Sequence, residues 1–213
     1  KKDDGTNSWT DLFTGLTSGA HPWYSTLNDL LIISSSVAGD GPKEWDGTTA
    51  QALQGSPPNF TISTEYQGRL CAAGVFAQPS RLYYCARYNP NDWTGSGSGT
   101  IDIDPDDGDK IVAIVSHKQR LFVLKGPYKG SIHIIDGVAP TGGNPFRKTV
   151  FHRGVPAVSQ HSVFKYEDDF SFLTSEGVFQ NINNIQDSSL FKSGAISYPI
   201  NSWLRENINF TYL

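Results

Sequence analysis

The stretch that decides the fold is residues 110–135, which read KIVAIVSHKQRLFVLKGPYKGSIHII. An apolar run, Ile111–Val115, passes through a polar turn into a second run, Leu121–Leu124. Gly and Pro at positions 126–130 then permit a reversal into Ser131–Ile135. β-Branched and aromatic residues between such turns are typical of half-buried antiparallel strands. The stretch therefore predicts a three-stranded meander.

A four-residue phrase inside this stretch recurs along the chain. Its copies are Asn28-Asp29-Leu30-Leu31, Gly68-Arg69-Leu70-Cys71, Gln119-Arg120-Leu121-Phe122 and Asp168-Asp169-Phe170-Ser171. The charged second positions, 29, 69, 120 and 169, are 40, 51 and 49 residues apart. A strand-like segment precedes each copy, at Trp23–Thr26, Asn59–Thr64, Lys110–Val115 and Ala157–Phe164. A period of this length is the mark of a repeat architecture.

We therefore predict an all-β fold, a β-propeller or part of one, built from about four antiparallel meander blades of roughly 40–50 residues. The predicted blades are residues 9–55, 56–105, 106–150 and 151–186, so the propeller spans residues 9–186. Residues 1–8 are interpreted as a tail or truncated linker. Residues 187–213 are interpreted as the start of a further, truncated segment. A short helix is predicted there over Pro199–Asn207, with Ile200, Trp203 and Leu204 on one face.

The ends of the chain lead to an expectation about its completeness. The sequence contains no Met, although translation needs an initiator, and Asn209–Leu213 resembles a strand with no turn after it. We therefore expect an excerpt of a longer protein. A closed propeller uses roughly 4–8 blades. Four units either close on themselves or form part of a larger ring, and we expect the larger ring.

The composition limits the kind of partner. The formal net charge is −4, and the basic clusters are short: Lys118 with Arg120, and Arg147-Lys148, which we interpret as solvated. Proteins that bind nucleic acid through its phosphates need clustered Lys and Arg, so such binding is not expected. No apolar run approaches the roughly 18 residues of a membrane span, so no membrane segment is predicted.

The two cysteines, Cys71 and Cys85, lie on the two arms of one predicted hairpin. They are nearly equidistant from its turn at Gln78, so they could face each other. Two cysteines in a chain of this size are more typical of buried thiols in a reducing compartment. We predict that state.

Five aspartates lie within eight positions, at Asp102, Asp104, Asp106, Asp107 and Asp109. Clustered carboxylates suit Ca²⁺, but the register of a helix-loop-helix calcium site is wrong because the sixth position from residue 102 is Asp rather than Gly. We predict a strand over Thr100–Ile103 and then a solvated turn. If that turn lines a channel, the charges at 102, 104, 106 and 107 would matter without any metal.

No catalytic arrangement is evident in the sequence. The histidines, His21, His117, His133, His152 and His161, belong to no nucleophile or metal motif. There is no nucleophile elbow, P-loop or dinucleotide fingerprint. Carboxylates adjacent in sequence, such as Asp168-Asp169, point to opposite faces of a strand and make poor acid–base partners. We therefore predict no catalytic residues, no cofactor and no metal site, and hence a protein that is not an enzyme.

The aromatic content leaves two uses open. The five Trp and nine Tyr could build platforms on which sugars stack. Trp45 and Trp93 each follow a turn-like segment, which suits either an exposed platform or an anchor that packs between blades. We favour the anchor for both.

The segment from Arg81 to Lys125 is the most distinctive part of the chain. It contains Asn89-Pro90-Asn91-Asp92-Trp93, a Gly-Ser run, the turn Asp107-Gly108-Asp109, and then Arg120-Leu121. In these residues, and over about residues 20–185 as a whole, the chain resembles the β-propeller segment of bacteriophage tail proteins. The family comprises the tail nozzle (tail tubular) and related tail hub or stabilisation proteins of short-tailed phages.

The resemblance implies a structural protein of the virion, located in the phage tail, with no catalyst. It implies an oligomeric ring of six copies through which the genome is ejected, with DNA only as non-specific transiting cargo. Other tail proteins, such as a portal adaptor and fibres, are the implied partners. The segment Asn89–Trp93, the turn Asp107–Asp109 and Arg120-Leu121 are then structural signatures. The acidic loop is expected to face the lumen or a neighbouring subunit.

Two other functions fit a propeller. One is a carbohydrate-binding or glycan-processing propeller, which would expose aromatic residues at one end and, in an enzyme, bring carboxylates together near the axis. The other is a propeller of cellular origin that mediates protein–protein contacts.

Overall fold

We analysed a computed structural model of the chain, which describes residues 2–3, 5, 8–166, 168–183 and 197–208. The fold is all-β, a β-propeller with four small antiparallel sheets, so the predicted fold class is confirmed. The strands are β1 Lys2–Asp3, β2 Trp9–Thr10, β3 Pro22–Leu27, β4 Leu30–Ser35, β5 Lys43–Trp45, β6 Ala50–Ala52, β7 Ile62–Tyr66, β8 Arg69–Ala73, β9 Arg81–Tyr84, β10 Gly99–Asp102, β11 Lys110–His117, β12 Arg120–Gly126, β13 Ser131–Asp136, β14 Arg147–Arg153, β15 Phe164–Tyr166, β16 Asp169–Leu173 and β17 Phe179–Asn181. Short 3₁₀ turns occupy Ala38–Asp40, Gln160–Ser162 and Tyr198–Ile200, and the helix α1 spans Asn201–Asn207. The strand predicted over 209–213 lies outside the described residues.

Each sheet is an up-and-down meander, in which consecutive strands are neighbours. Blade 1 has the order β3-β4-β5-β6, blade 2 comprises β7 to β10, blade 3 has the order β11-β12-β13-β14, and blade 4 has the order β15-β16-β17. Strands β1 and β2 form a separate two-stranded ribbon. The meander keeps sequence-adjacent residues paired, which explains why a period could be seen in the sequence.

The chain divides into two compact units. Unit 1 consists of residues 1–77 and 83–100, and unit 2 of residues 78–82 and 101–213. In unit 1 the core lies between blades 1 and 2 and is formed by Leu27, Ile32, Leu53, Phe60, Leu70, Ala72 and Cys85. In unit 2 the core lies between blades 3 and 4 and is formed by Val112, Ala113, Val115, Phe122, Leu124, Ile132, Ile134, Val155, Ala157, Phe170, Phe172 and Ile182.

Two-residue turns join the first two strands of the blades and set their register. Asn28-Asp29, Gln67-Gly68 and Lys118-Gln119 all have positive φ, the conformation of the turn that matches the twist of a hairpin. Leu27 pairs with Leu30 across the first of these turns, as Tyr66 does with Arg69 across the second.

The register corrects the alignment of the repeated phrase. Because Asp29 is a turn residue, Leu30 is the structural equivalent of Arg69, Arg120 and Asp169, each of which opens its strand. The structural counterpart of the phrase in blade 1 is therefore Asp29-Leu30-Leu31-Ile32, one residue later than the sequence predicts. Blade 1 has no charged residue at that position.

Some predicted strand bounds were also wrong. The strand predicted over Ala157–Phe164 begins only at Phe164, because Ser159 accepts a hydrogen bond from the N–H of His161 and caps a 3₁₀ turn there. The strand predicted from residue 59 begins at Ile62, after a Pro-Pro pair. Strand β14 continues to Arg153, past the blade boundary placed at residue 150.

The predicted helix near the end of the chain is present as α1. Leu204 is buried, whereas Ile200 and Trp203 are exposed. The three residues therefore do not form one buried face. The helix contacts blade 4, where the side chain of Arg205 donates a hydrogen bond to the carbonyl of Glu176.

Both cysteines are free and buried, as predicted. They do not face each other, because Cys71 is paired with Tyr84 across the sheet. The thiol of Cys85 instead accepts a hydrogen bond from the backbone N–H of Leu70 at 3.1 Å. Burial raises the pKa of Cys71, and it raises that of Cys85 to about 11.

Gly130 lies in the turn between β12 and β13. It tests whether this turn packs closely against the backbone at Pro156. Its φ is +68°, and a Cβ at this position would lie 2.0 Å from the backbone nitrogen of Pro156. We predict that Gly130→Ala lowers the free energy of unfolding by about 3 kcal/mol, measured by urea denaturation. Gly143→Ala is the control, because a Cβ there meets no atom within 4 Å. Equal effects of the two substitutions would contradict the packing described.

Candidate functional site

The acidic loop of unit 2 is organised around a buried lysine. The side chain of Lys125, on β12, is fully buried. Its ammonium donates to Ser80 Oγ at 3.1 Å, the Ile103 carbonyl at 2.8 Å, the Asp104 carbonyl at 2.7 Å and Asp107 Oδ1 at 2.7 Å. Removing an ammonium from water costs several kcal/mol unless its protons find acceptors. Here four oxygens surround it, so the loop folds around the charge.

Asp109 fixes the other end of the loop. Its carboxylate accepts backbone N–H groups from Tyr128 at 2.8 Å, Lys129 at 3.0 Å and Gly130 at 2.7 Å. Its own N–H is bonded to Asp107 Oδ1, which closes the Asp107–Asp109 turn. A carboxylate that satisfies three donors in a hairpin turn has a structural role.

Asp104 is the centre of a second charged cluster. Its carboxylate accepts hydrogen bonds from Lys148 and Arg153, both at 2.9 Å. The hydrogen bonds from these two cations lower the pKa of Asp104 to about 2. His133 Nε2 lies 3.8 Å away and is hydrogen-bonded to Ser131. Burial lowers the pKa of His133, so it is neutral at pH 7.

Asp102 and Asp106 complete the loop. Asp102 forms a bidentate pair with Arg81, at 2.6 and 2.9 Å, and the hydrogen bond from Arg81 lowers its pKa. Asp106 is exposed, and it makes no hydrogen bond or ion pair to the described part of the chain. The turn predicted to be solvated is thus largely tied to side chains and backbone of its own unit.

These contacts revise the picture of an acidic surface. The four aspartates predicted to face a lumen or a neighbouring subunit are Asp102, Asp104, Asp106 and Asp107. Three of the four are partners of Arg81, Lys148, Arg153 or the buried Lys125, so their removal would disturb the fold. Among the four, Asp106 alone has an exposed carboxylate without a hydrogen bond or ion pair to the described residues.

The resemblance signature at Asn89–Trp93 is a compact turn in unit 1. Asp92 Oδ1 accepts the N–H of Gly95 at 2.7 Å, and Asn89 Oδ1 accepts that of Asn91 at 3.1 Å. Trp93 donates its indole N–H to the Pro90 carbonyl at 2.7 Å, and its ring packs 5.6 Å from that of Phe60. Trp93 is therefore a packing anchor, as favoured.

The remaining signature residues differ in exposure. Leu121 is fully buried, whereas Arg120 is exposed where β12 begins. Gly108 has a φ of +88° and open space around it. Leu121 therefore has a packing role, and Arg120 lines a small cavity of unit 2.

Blade 1 has two different faces. One packs against β7, where Trp23 donates to the Ser63 carbonyl at 2.7 Å and Ser34 donates to the Thr61 carbonyl at 2.8 Å. We call the other the open face of blade 1. It is formed by Tyr24, Leu31, Ile33, Lys43 and Trp45, which the strand register places on one side of the sheet.

The corrected register shows that the open face is incompletely covered. Leu31 and Ile33 are equivalent to Leu70 and Ala72 in blade 2, to Leu121 and Val123 in blade 3, and to Phe170 and Phe172 in blade 4. All six equivalents are 0% exposed, whereas Leu31 and Ile33 are half-buried and Tyr24 is 56% exposed. These two positions of the second strand are fully buried in blades 2, 3 and 4 but partly accessible in blade 1.

The segment that follows β2 lies over part of the open face and leaves a cleft of about 750 Å³. Trp9, Phe13 and Leu16 line it together with Tyr24 and Trp45. Trp9 is 62% exposed. Trp45 was predicted to be a packing anchor. It is only partly buried, and it lines this cleft. No signal in the sequence pointed to the cleft, because residues 9–20 contain no repeat or motif.

Blade 4 carries another exposed aromatic group, here called the blade 4 aromatic face. Phe164 and Tyr166, on β15, stack with their ring centroids 5.8 Å apart and are 45% and 38% exposed. Phe179 lies 5.9 Å from Phe164.

The described residues show neither a metal cluster nor a membrane-spanning helix. They contain no group of three or more His, Cys, Asp or Glu side chains placed to hold a metal ion. Within those same residues, no helix has the length and hydropathy needed to cross a membrane.

The chain was compared with protein-family models and with curated protein sequences. No protein-family model matches the chain, and no curated protein sequence matches it. The resemblance to phage tail proteins therefore stays a prediction that depends on the residues quoted for it.

The buried ammonium gives a prediction for stability. Replacing Lys125 by Met keeps most of the side chain but leaves Asp107 and two carbonyls without their donor. We expect the free energy of unfolding to fall by about 3 kcal/mol, measured by urea denaturation. Lys129→Met, at an exposed position, should change it by less than about 0.5 kcal/mol. A Lys125→Met protein as stable as the parent would show that the ammonium does not organise the loop.

The Asp104 cluster gives a prediction for pH dependence. The folded-state pKa of about 2 lies below the ordinary value of 3.8, so this contribution is complete above about pH 4 and is lost as the pH falls towards 2. Its size is roughly 2 kcal/mol. We expect Asp104→Asn to remove that loss from the stability profile between pH 5 and 2, while the control Asp106→Asn keeps it. Parallel profiles for the parent and Asp104→Asn would contradict the assignment.

Proposed function

We propose that the chain is a structural subunit of a phage tail, a nozzle or hub protein that assembles into an oligomeric ring and serves as a conduit for genome ejection. The observation that carries the assembly part is the open face of blade 1. The phage-tail part is supported by the resemblance over residues 81–125. The subunit is proposed to act without catalysis.

The open face has the character of an interface. Exposed apolar patches on a soluble protein mark sites of association, and Trp9, Tyr24 and Leu16 are 62%, 56% and 41% exposed around the cleft. Removing apolar area from water gains about 25 cal/mol per Å². In the other blades the equivalent positions gain this energy in full, because all six are 0% exposed. A covering surface would supply the same gain in blade 1.

We propose a second copy of this chain as the occupant of the open face. The blade 4 aromatic face of that copy offers Phe164, Tyr166 and Phe179, apolar groups suited to the Tyr24 and Trp45 side chains. The two surfaces lie on different blades, so the contact is head-to-tail. Head-to-tail contacts give a closed ring when the rotation closes and a filament when it does not. A ring of six copies follows from the resemblance.

The conduit role is supported by charge. The chain carries a net charge of −4, and a surface that repels phosphates lets DNA slide instead of binding it. In unit 2, Arg81, Lys125, Lys148 and Arg153 are paired with aspartates. These pairs reduce the positive charge available to hold DNA. DNA is therefore proposed as non-specific transiting cargo.

The cleft also favours a second candidate function, carbohydrate binding. Trp9, Tyr24 and Trp45 line it, and aromatic faces are the surfaces on which sugars stack. Lys43 and Ser34 supply polar groups in the same cleft. In this case the occupant of the open face would be a glycan and the subunit would not need to assemble.

Assembly predicts a change in native mass. We expect light scattering and electron-microscope class averages to show a ring for the parent protein between about 1 and 100 μM. The variant Trp9→Ser/Tyr24→Ser should move it towards monomer, because each aromatic at an interface contributes about 2 kcal/mol. Phe76→Ser/Tyr128→Ser is the control, since Phe76 and Tyr128 are 91% and 78% exposed and lie on neither proposed face.

The outcomes separate the two candidates. A parent protein that stays monomeric across this range would overturn assembly through the open face. If that monomer bound an immobilised glycan, and the Trp9→Ser/Tyr24→Ser variant did not, carbohydrate binding would replace the ring. Equal loss of mass in the variant and the control would point to non-specific association.

A further inference from the structure

A small cavity in unit 2 combines aromatic and basic side chains. It lies at the turn end of blade 3 and has a volume of about 320 Å³, at the lower end of the range of small-molecule sites. His117, Lys118 and Arg120 line it from β11, the turn and β12. Phe122 and Phe151 line it from β12 and β14.

The floor of the cavity is aromatic and rigid. The rings of Phe122 and Phe151 meet edge to face, with centroids 5.9 Å apart and planes at 86°. Phe122 also packs 5.1 Å from Phe170 in the core. Ile182, which is 3% exposed, closes one side. A floor anchored in the core is already formed and needs little ordering when a flat apolar group binds.

The rim of the cavity is cationic. Lys118 and Arg120 are both exposed, and the two-residue turn at Lys118-Gln119 holds them close together on the hairpin. Neither side chain makes an ion pair or hydrogen bond with the residues that the structure describes. By contrast, Arg81, Lys148 and Arg153 of the same unit are engaged by aspartates. Two unengaged cations at the mouth of one cavity create a local positive potential.

The imidazole of His117 adds a polar group to the wall. Its ring lies 5.6 Å from that of Phe170, and its Nε2 is shielded from solvent without a hydrogen-bond partner in the described residues. Shielded polar atoms in proteins are usually paired. The wall at this point therefore offers a polar contact beside the aromatic floor.

We propose that this cavity binds a small organic anion that has an aromatic or flat apolar body. The anionic head lies between Lys118 and Arg120, and the body lies on Phe122 and Phe151. The positive rim disfavours cations, and a bare inorganic anion would leave the aromatic floor unused. The proposal does not depend on ring assembly, because every residue that carries it belongs to unit 2 of one chain.

The test uses naphthalene-2-carboxylate as the probe and its uncharged amide as the comparison, with the 213-residue chain titrated by calorimetry. We expect saturable one-site binding with a Kd below about 1 mM and binding of the amide at least about tenfold weaker, because a charge-assisted contact is lost. Raising the salt concentration should weaken binding of the carboxylate but not of the amide.

Matched variants locate the site. Lys118→Gln/Arg120→Gln should weaken carboxylate binding at least about tenfold, whereas Lys129→Gln/Arg147→Gln, which removes the same charge from exposed positions of unit 2, should leave the Kd unchanged. Phe151→Leu should weaken binding of both probes. No saturable binding, equal affinity for the amide, or equal loss in the two double variants would overturn the proposal. Circular dichroism of each variant confirms that the fold is kept.

Discussion

The ammonium of Lys125 is the interaction on which the centre of unit 2 depends. It is fully buried, and its partners come from the short segment at Ser80 and from the loop at 103–107. A charge in such a place is tolerated only when its acceptors stay in position. The loop that precedes blade 3 is thus held in position by its hydrogen bonds to the ammonium of Lys125 on β12. Asp104 and Asp109 then secure the two sides of the same loop, to β14 with Arg153 and to the turn after β12.

Local features of this fold could be predicted from the sequence, and distant pairings could not. The meanders were visible because neighbouring strands are joined by turns of a few residues, and β-branched runs between those turns mark each strand. The first copy of the phrase was misaligned because Asp29 and Arg69 are both charged residues that precede a leucine. Asp29, however, is a turn residue, whereas Arg69 is the first residue of β8. The partners of the acidic loop were invisible, since Lys125 is 18 residues from Asp107 and Arg153 is 49 from Asp104. An acidic run seen alone therefore suggested a charged surface.

The open face of blade 1 shows how a repeat can reveal a functional surface. Equivalent positions in a propeller meet equivalent surroundings, so a difference between blades needs a physical cause. Leu31 and Ile33 are as apolar as Leu121 and Val123, yet the latter are sealed and the former are half-buried. The sequence has therefore kept the side chains of an internal position where the described structure supplies only partial cover from residues such as Trp9 and Phe13. That mismatch between side-chain type and exposure is the physical basis of the assembly proposal.

The same reasoning applies to charge in unit 2. Where a basic side chain stabilises the fold, as with Lys125, Lys148 and Arg153, it is found with an aspartate within 3 Å. Lys118 and Arg120 lack such a partner in the described residues and stand instead beside two phenylalanines and a histidine. A ligand with an anionic head and a flat apolar body gains from both, because its charge lies beside the two cations and its body lies on the rings. An unengaged charge beside an aromatic cavity, more than the number of cations, therefore distinguishes the part of unit 2 that is available to a ligand.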